Sequence, residues 1–251
     1  CPDLFELDGQ DILICCPQGL PAEAERYLNT HQAGYFVGQL DYEQASFPHG
    51  DFHELDLGFE FYAPQTTLTE DGRRLLFAWM GIPDQDELLQ PTVAQGWIHT
   101  MTCPRELSYR DGQLYQRPAR ELQQLRGERR YWQGRADDAP LYTADSAELW
   151  LQCDGPFRLQ LAQALSLEWD GTRLTLSRPH VRTAEPEHRY WRGNLTEVQI
   201  LCDHSSVEIF INGGAAVMSA RYFPPHKLSF DFTGDAQLNL QHWPLAMPVI
   251  E

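Results

Sequence analysis

The run from Asp51 to Gln65 concentrates the residues best equipped for chemistry. It interleaves the carboxylates Asp51, Glu54, Asp56 and Glu60 with Phe52, Phe59, Phe61 and Tyr62. Carboxylates move protons and accept hydrogen bonds from hydroxyl groups, and aromatic faces stack on sugar rings. The combination suits a carbohydrate site, and composition alone fits surface acids beside core aromatics equally well. Just upstream, His49 and His53 stand four apart, but Pro48 and Gly50 deny them the helix that would aim both at one zinc ion. The chain has no glycine-rich phosphate loop and no G-x-S-x-G elbow. The expectation is therefore a site without metal or cofactor.

Charge and cysteines narrow the classes further. A formal net charge of −17 argues against nucleic acid and anionic membranes as partners, because both demand a basic face. No stretch approaches the roughly 20 apolar residues of a membrane span. Cys1, Cys15, Cys16, Cys103, Cys153 and Cys202 form no C-x-x-C pair and no zinc spacing. They read as free thiols acting as small hydrophobes, which fits a reducing cytoplasm.

The elements that must position these residues are strands. Asp8-Gly9, Asp71-Gly72, Asp111-Gly112, Asp170-Gly171 and Asn212-Gly213 each sit between alternating runs and mark β-hairpins. Cys1 to Gly19 and Ala63 to Gly81 echo one another: proline, short strand, Asp-Gly, apolar strand, glycine. Their offset of about 62 residues exceeds the roughly 40–50 of common propeller repeats, and a four-stranded blade with long loops explains it. Arg117 to Arg126 predicts a short helix and Pro21 to Leu28 a second one. The charged segment from Gly127 to Pro140 reads as a linker. From Ala147 onward, Leu149-Leu151-Cys153, Leu165-Leu167-Trp169, Val198-Ile200-Cys202, Val207-Ile209-Ile211 and Leu238-Leu240-His242 alternate with more polar residues. This pattern predicts an antiparallel β-sandwich.

Four segments together resemble glycoside hydrolase family 32, the invertases and sucrose-6-phosphate hydrolases. Cys1-Pro-Asp-Leu-Phe5 is similar to the part of the family's Glu-Cys-Pro-Asp motif that follows its Glu. Leu55 to Gln65 resembles the Asp-x-Gly-x-Asp-Phe-Tyr-Ala segment. The third match runs from Gly96-Trp97 through Pro104-Arg-Glu-Leu107 to Gln116-Arg-Pro118, and the fourth from Asp203 through Gly213 to Arg221-Tyr-Phe-Pro224. The resemblance implies an all-β fold: the last two blades of a five-bladed β-propeller, then a C-terminal β-sandwich. Residues 1–118 would form the blades, 119–140 a helix and linker, and 141–251 the sandwich.

The resemblance also implies retaining hydrolysis by two carboxylates about 5–5.5 Å apart. An Asp attacks the fructosyl anomeric carbon, a Glu protonates the leaving oxygen, and water then releases fructose. A third Asp stabilises the transition state. None of the three maps onto this chain, and the acid/base Glu is expected immediately before Cys1. The chain is therefore expected to be the C-terminal part of something longer. Two bare blades would be poorly soluble, because their open strand edges invite aggregation. The transferable residues are Cys1 beside the acid/base, Asp56 on the pocket rim as a hydroxyl acceptor, Phe61 and Tyr62 of Phe-Tyr-Ala, and Trp79 against the sugar. Glu60 departs from the family's usual Asp, and Asp3 reads as structural. The implied partner is sucrose or sucrose 6-phosphate, with homo-oligomerisation left open. The alternative is a sugar-binding sandwich without hydrolytic activity, for which Trp150 and Trp169 are platform candidates that read first as core residues.

Overall fold

A computed structural model describes residues 1–246; the last residues assigned to the sandwich lie outside it. Two four-stranded antiparallel sheets come first. One contains β1 (Asp3–Leu7), β2 (Gln10–Cys15), β3 (Gly34–Gly38) and β4 (His53–Glu54). The other contains β5 (Tyr62–Leu68), β6 (Arg74–Trp79), β7 (Arg105–Arg110) and β8 (Gln113–Pro118), and each sheet runs in strand order. Asp8-Gly9, Asp71-Gly72 and Asp111-Gly112 close hairpins as expected. Phe5, Ile12, Ile14 and Tyr35 of the first sheet share one core with Tyr62, Leu76, Ala78, Leu107 and Leu114 of the second and with Phe61 just before it. Asp3 ties the sheets together, its Oδ2 accepting from the Thr66 amide and hydroxyl, both at 2.7 Å.

The remaining strands are β9 (Arg130–Arg135), β10 (Tyr142–Ala144), β11 (Ala147–Cys153), β12 (Phe157–Leu161), β13 (Leu165–Trp169), β14 (Arg173–Pro179), β15 (Pro186–Arg192), β16 (Glu197–Cys202), β17 (Ser206–Ile211), β18 (Ala216–Arg221), β19 (Leu228–Thr233) and β20 (Gln237–Pro244). They form two six-stranded sheets, β10-β19-β12-β13-β14-β15 and β18-β17-β16-β11-β20-β9. The alternating apolar residues meet between them: Leu149, Leu151, Leu167, Leu176, Ile200, Ile209 and Leu240 are wholly buried. This is the sandwich that the period-two pattern predicts.

Three local expectations need correction. Pro21 to Leu28 is not helical. Glu23 and Arg26 exchange backbone hydrogen bonds in a tight turn, and Ala24 and Tyr27 take positive φ. The helix in Arg117 to Arg126 is a 3-10 turn, Arg120–Leu125. The supposed linker carries β9, which pairs with β20 along the sandwich edge. Its exposed Arg130, Gln133 and Arg135 disguise it, while Trp132 packs on the core. Charged edge strands resist unwanted pairing, and that same charge makes them read as loops.

Candidate functional site

The Asp51–Gln65 run splits into two environments. Its first part docks on the sandwich. The Leu57 amide donates to Val217 O (2.8 Å) and the Phe59 amide to Ser219 O (2.7 Å), so the segment lines the free edge of β18. The approach is so close that a Cβ on Gly58 would stand 2.0 Å from Ser219 O. Likewise, a Cβ on Gly214, at φ +90°, would stand 1.8 Å from Gln116 O. Only glycine fits at either point.

Arg105, wholly buried, is the centre of this junction. Its guanidinium donates to Glu208 Oε2 (3.0 and 2.7 Å), Asp56 Oδ2 (3.0 Å), Gln116 Oε1 (3.0 Å) and Ser219 Oγ (2.6 Å). These bonds match its five N–H donors. Asp56 also accepts from the Gly58 and Ser219 amides, both at 2.8 Å, and from Ser219 Oγ at 2.7 Å. Burial works against the Arg105 charge, but Glu208 and Asp56 outweigh it and hold the guanidinium above its ordinary range. Burial likewise raises the Asp56 carboxyl, opposed by Arg105 and the Ser219 and Gly58 donors.

Asp56 is therefore not a rim residue. Its side chain has no exposure and its oxygens are committed, so it cannot receive a sugar hydroxyl. Phe61, 3% exposed, lies under the Arg105 guanidinium, 4.9 Å from the ring centroid. Glu60 also turns to the sandwich. Arg178 grips both its oxygens (2.8 and 2.5 Å) and the Arg221 amide donates to Oε2 (2.8 Å). The extra methylene relative to Asp thus serves the junction.

The second environment lies at one end of the two small sheets. Register pairs Tyr62, the first residue of β5, with Trp79, the last of β6. Cys1 precedes β1 at the same end. Strand β2 finishes beside it at Cys15, and Cys16 packs with Ala63 on the shared core. Tyr62 and Trp79 meet edge to face at 6.3 Å, and Trp79 and His99 do so at 4.7 Å. His31 lies 6.1 Å from the Tyr62 ring, and Gln18 Nε2 donates to Tyr62 Oη at 3.3 Å. His99 Nε2 stands 4.0 Å from Glu87 Oε2, and His31 Nε2 stands 3.6 Å from Asp84 Oδ2.

Unlike the junction, this wall leaves polar atoms open. Trp79 Nε1, His31 Nδ1 and Glu87 Oε2 are buried at the atom level without a hydrogen bond from the protein. A sugar hydroxyl both donates and accepts, so such a mixed set suits it, and aromatic faces supply the stacking surface. The structure thus brings Tyr62, Trp79 and Cys1 to one end and removes Asp56 and Phe61 from it. His31, Glu87 and His99 were missed. His99 stands two residues beyond Trp97, inside a segment already marked by resemblance, while His31 lies in a loop without pattern.

The sandwich lacks the aromatic platform of the alternative reading. Trp150 and Trp169 belong to different sheets, Trp169 is 6% exposed, and the Trp150 indole donates to Glu197 (3.2 Å). Among the described residues, no cluster of His, Cys, Asp and Glu fits a metal ion. No helix there is long and apolar enough to cross a membrane, and all six cysteines are free.

Comparisons with known proteins agree with this fold. The glycosyl hydrolases family 32 N-terminal domain matches residues 1–118, and the family's C-terminal domain matches 170–244. The sucrose-6-phosphate hydrolase of Salmonella typhimurium is 52% identical over all of this chain and 53% of its own length. That of Bacillus subtilis is 42% identical over 98% of this chain and 54% of its own. The chain spans about half the length of the curated relatives it matches. Among solved structures, the sucrose-6-phosphate hydrolase of Lactobacillus gasseri superposes with a TM-score of 0.87 at 26% identity, covering 98% of this chain and 54% of that one. The GH32 beta-fructofuranosidase of Bombyx mori gives 0.85 at 30% identity, with coverages of 98% and 53%. Two propeller-type blades, a docked sandwich and both matched domains lead to one conclusion: the chain belongs to glycoside hydrolase family 32.

Proposed function

We propose that this chain is part of a retaining β-fructofuranosidase that cleaves sucrose or sucrose 6-phosphate, and that it supplies one wall of the sugar pocket. The observation that carries the reading is the wall of Tyr62, Trp79 and His99, with Trp79 Nε1, His31 Nδ1 and Glu87 Oε2 free of protein hydrogen bonds beside it. The names of the relatives from Salmonella and Bacillus favour the phosphorylated sugar. The Bombyx enzyme has also been solved with sucrose. In this reading residues 1–118 are two blades of a larger ring, and the sandwich comprises β9 (Arg130–Arg135) and the strands from residue 141 onward. The outer face of the first sheet suits a preceding blade. Leu4, Leu13 and Phe36 lie side by side across β1, β2 and β3, and Leu4 is 43% exposed.

The chemistry follows the retaining scheme. A carboxylate from outside this chain forms a bond to the fructosyl carbon as the glycosidic C–O bond breaks, and a carboxylic acid gives its proton to the departing oxygen. Water then displaces the carboxylate and returns the proton. This chain's share is to orient the sugar and keep water from the reacting face.

The test is glucose or glucose 6-phosphate release by two proteins. One is this chain alone; the other is this chain fused behind the N-terminal half of the Salmonella relative. The fusion should turn over and the chain alone should not. Release by the chain alone, or a folded and inactive fusion, would overturn the proposal.

A further inference from the structure

Residues 86–99 carry the outer part of the wall, Glu87 and His99, yet they bury little of themselves. Leu88, Leu89, Val93 and Trp97 are 71%, 43%, 39% and 43% exposed. Two 3-10 turns, Glu87–Leu89 and Pro91–Gln95, hold the segment internally. On either side it is fixed to the blades. Gln85 bridges the Thr30 amide and Phe59 O (2.9 and 3.0 Å), and Met80 donates to Thr100 O (2.9 Å).

Among the described residues, every hydrogen bond that leaves 86–99 ends on the sandwich. Arg182, in the β14–β15 loop, donates to Asp86 Oδ1, and His180 Nε2 stands 3.5 Å from Asp86 Oδ2. At the other end of the segment, Arg221 donates to Ile98 O at 2.9 Å. The Arg221 guanidinium is itself fixed, bonded to Ser205 O (2.9 Å) and Oγ (3.1 Å) and set 5.3 Å from the Trp97 ring centroid. Between the tethers lies a cavity of about 480 Å³, bordered by Gln90, Pro91, Val181 and Phe223. Apolar packing therefore does little to place the segment; charge-assisted hydrogen bonds do.

We infer that the sandwich sets the position of Glu87 and His99 against Trp79 through Arg182 and Arg221, which makes both arginines positioning residues for the sugar wall. The role in catalysis rests on the function proposed above; the tether itself does not. Arg182 is 62% exposed on its side chain and can be altered without disturbing a core, whereas Arg221 is buried.

The test uses Arg182→Gln and Arg221→Lys in the full chain and in the active fusion. The first readout is the NMR shift of the His99 ring protons, assigned with His99→Gln and displaced by the adjoining Trp79 ring. Both variants should move these resonances toward those of a free histidine while the thermal midpoint of Arg182→Gln stays at the parent value. In the fusion, KM for sucrose 6-phosphate should rise about fivefold with kcat within about twofold, the pattern of lost binding geometry. Unmoved His99 resonances in Arg182→Gln would overturn the tether. Shifted resonances with an unchanged KM would overturn its use by substrate. An inactive parent fusion would strike the proposed function, while the NMR result would still decide whether the sandwich holds the segment.

Discussion

The junction around Arg105 and the wall around Trp79 share one segment, which gives Asp56 to the first and Tyr62 to the second, yet they treat polar atoms in opposite ways. At the junction each Arg105 donor and each Asp56 oxygen has a partner. At the wall Trp79 Nε1, His31 Nδ1 and Glu87 Oε2 have no hydrogen bond from the protein. Burying a polar group unpaired costs free energy, so a fold that tolerates several at one rim leaves capacity for a ligand. Closed networks fix two bodies to each other, and open ones meet something that comes and goes.

The comparison breaks most visibly at Arg105. Changing Arg105→Met leaves Asp56 and Glu208 buried without their counter-charge, which should cost about 3–5 kcal/mol. Urea unfolding of the chain measures it; a loss below about 1 kcal/mol would mean the junction is not the clamp described.

His242 sharpens the rule that open atoms mark a ligand site, because both its ring nitrogens are also unpartnered. It is wholly buried, stacked on Tyr142 at 4.7 Å and edge-on to Phe230 at 5.7 Å. Without access, an open nitrogen is a stability liability instead of a binding group. Burial, helped by Arg130, lowers its pKa from 6.5 to about 4. Between those values the unfolded chain takes up a proton that the folded chain refuses. Stability is whole above pH 6.5 and is lost as pH falls toward 4, by about 3 kcal/mol. His242→Phe should flatten that slope in a series of urea titrations.

Glu54 has the opposite dependence, from a shift of similar size. It lines a groove of about 970 Å³ between the first sheet and the sandwich, and burial raises its pKa from 4.5 to about 7. Here the unfolded chain releases a proton that the folded chain keeps. The contribution is complete below pH 4.5 and disappears as pH rises through 7. Thermal midpoints of Glu54→Gln should decline less over that range than those of the parent chain. If both slopes match, the groove does not enforce the neutral carboxyl.

The fold was largely legible because its signals are local. The five turn dipeptides and the period-two runs specify hairpins and a sandwich without long-range information. What escaped was whatever depends on a distant partner. Asp56 resembles a rim carboxylate in its motif, but its role is set by Arg105 and Ser219, 49 and 163 positions away. Phe59 looked like part of an aromatic pocket, yet it inserts between Arg178 and Arg189, whose guanidinium carbons lie 4.2 and 4.3 Å from its ring centroid. Tyr62 and Trp79 were readable through the family resemblance, Tyr62 by its Phe-Tyr-Ala motif, and the structure places both at strand ends. His31 and His99 sit in loops, where residue type carries no register.

The central claim is that the wall recognises sugar while the junction only holds the architecture. Its most direct measurement is kcat/KM and thermal midpoint together, for Trp79→Ala and Asp56→Asn in the fusion protein. Trp79→Ala should lower kcat/KM of the folded fraction about 100-fold, a loss separate from the fall in midpoint that follows from removing its packing on the shared core. Asp56→Asn should lower the midpoint by about 4 °C or more while the folded fraction keeps kcat/KM within about twofold. Full activity in Trp79→Ala, or an unchanged midpoint with lost activity in Asp56→Asn, would contradict the division of labour.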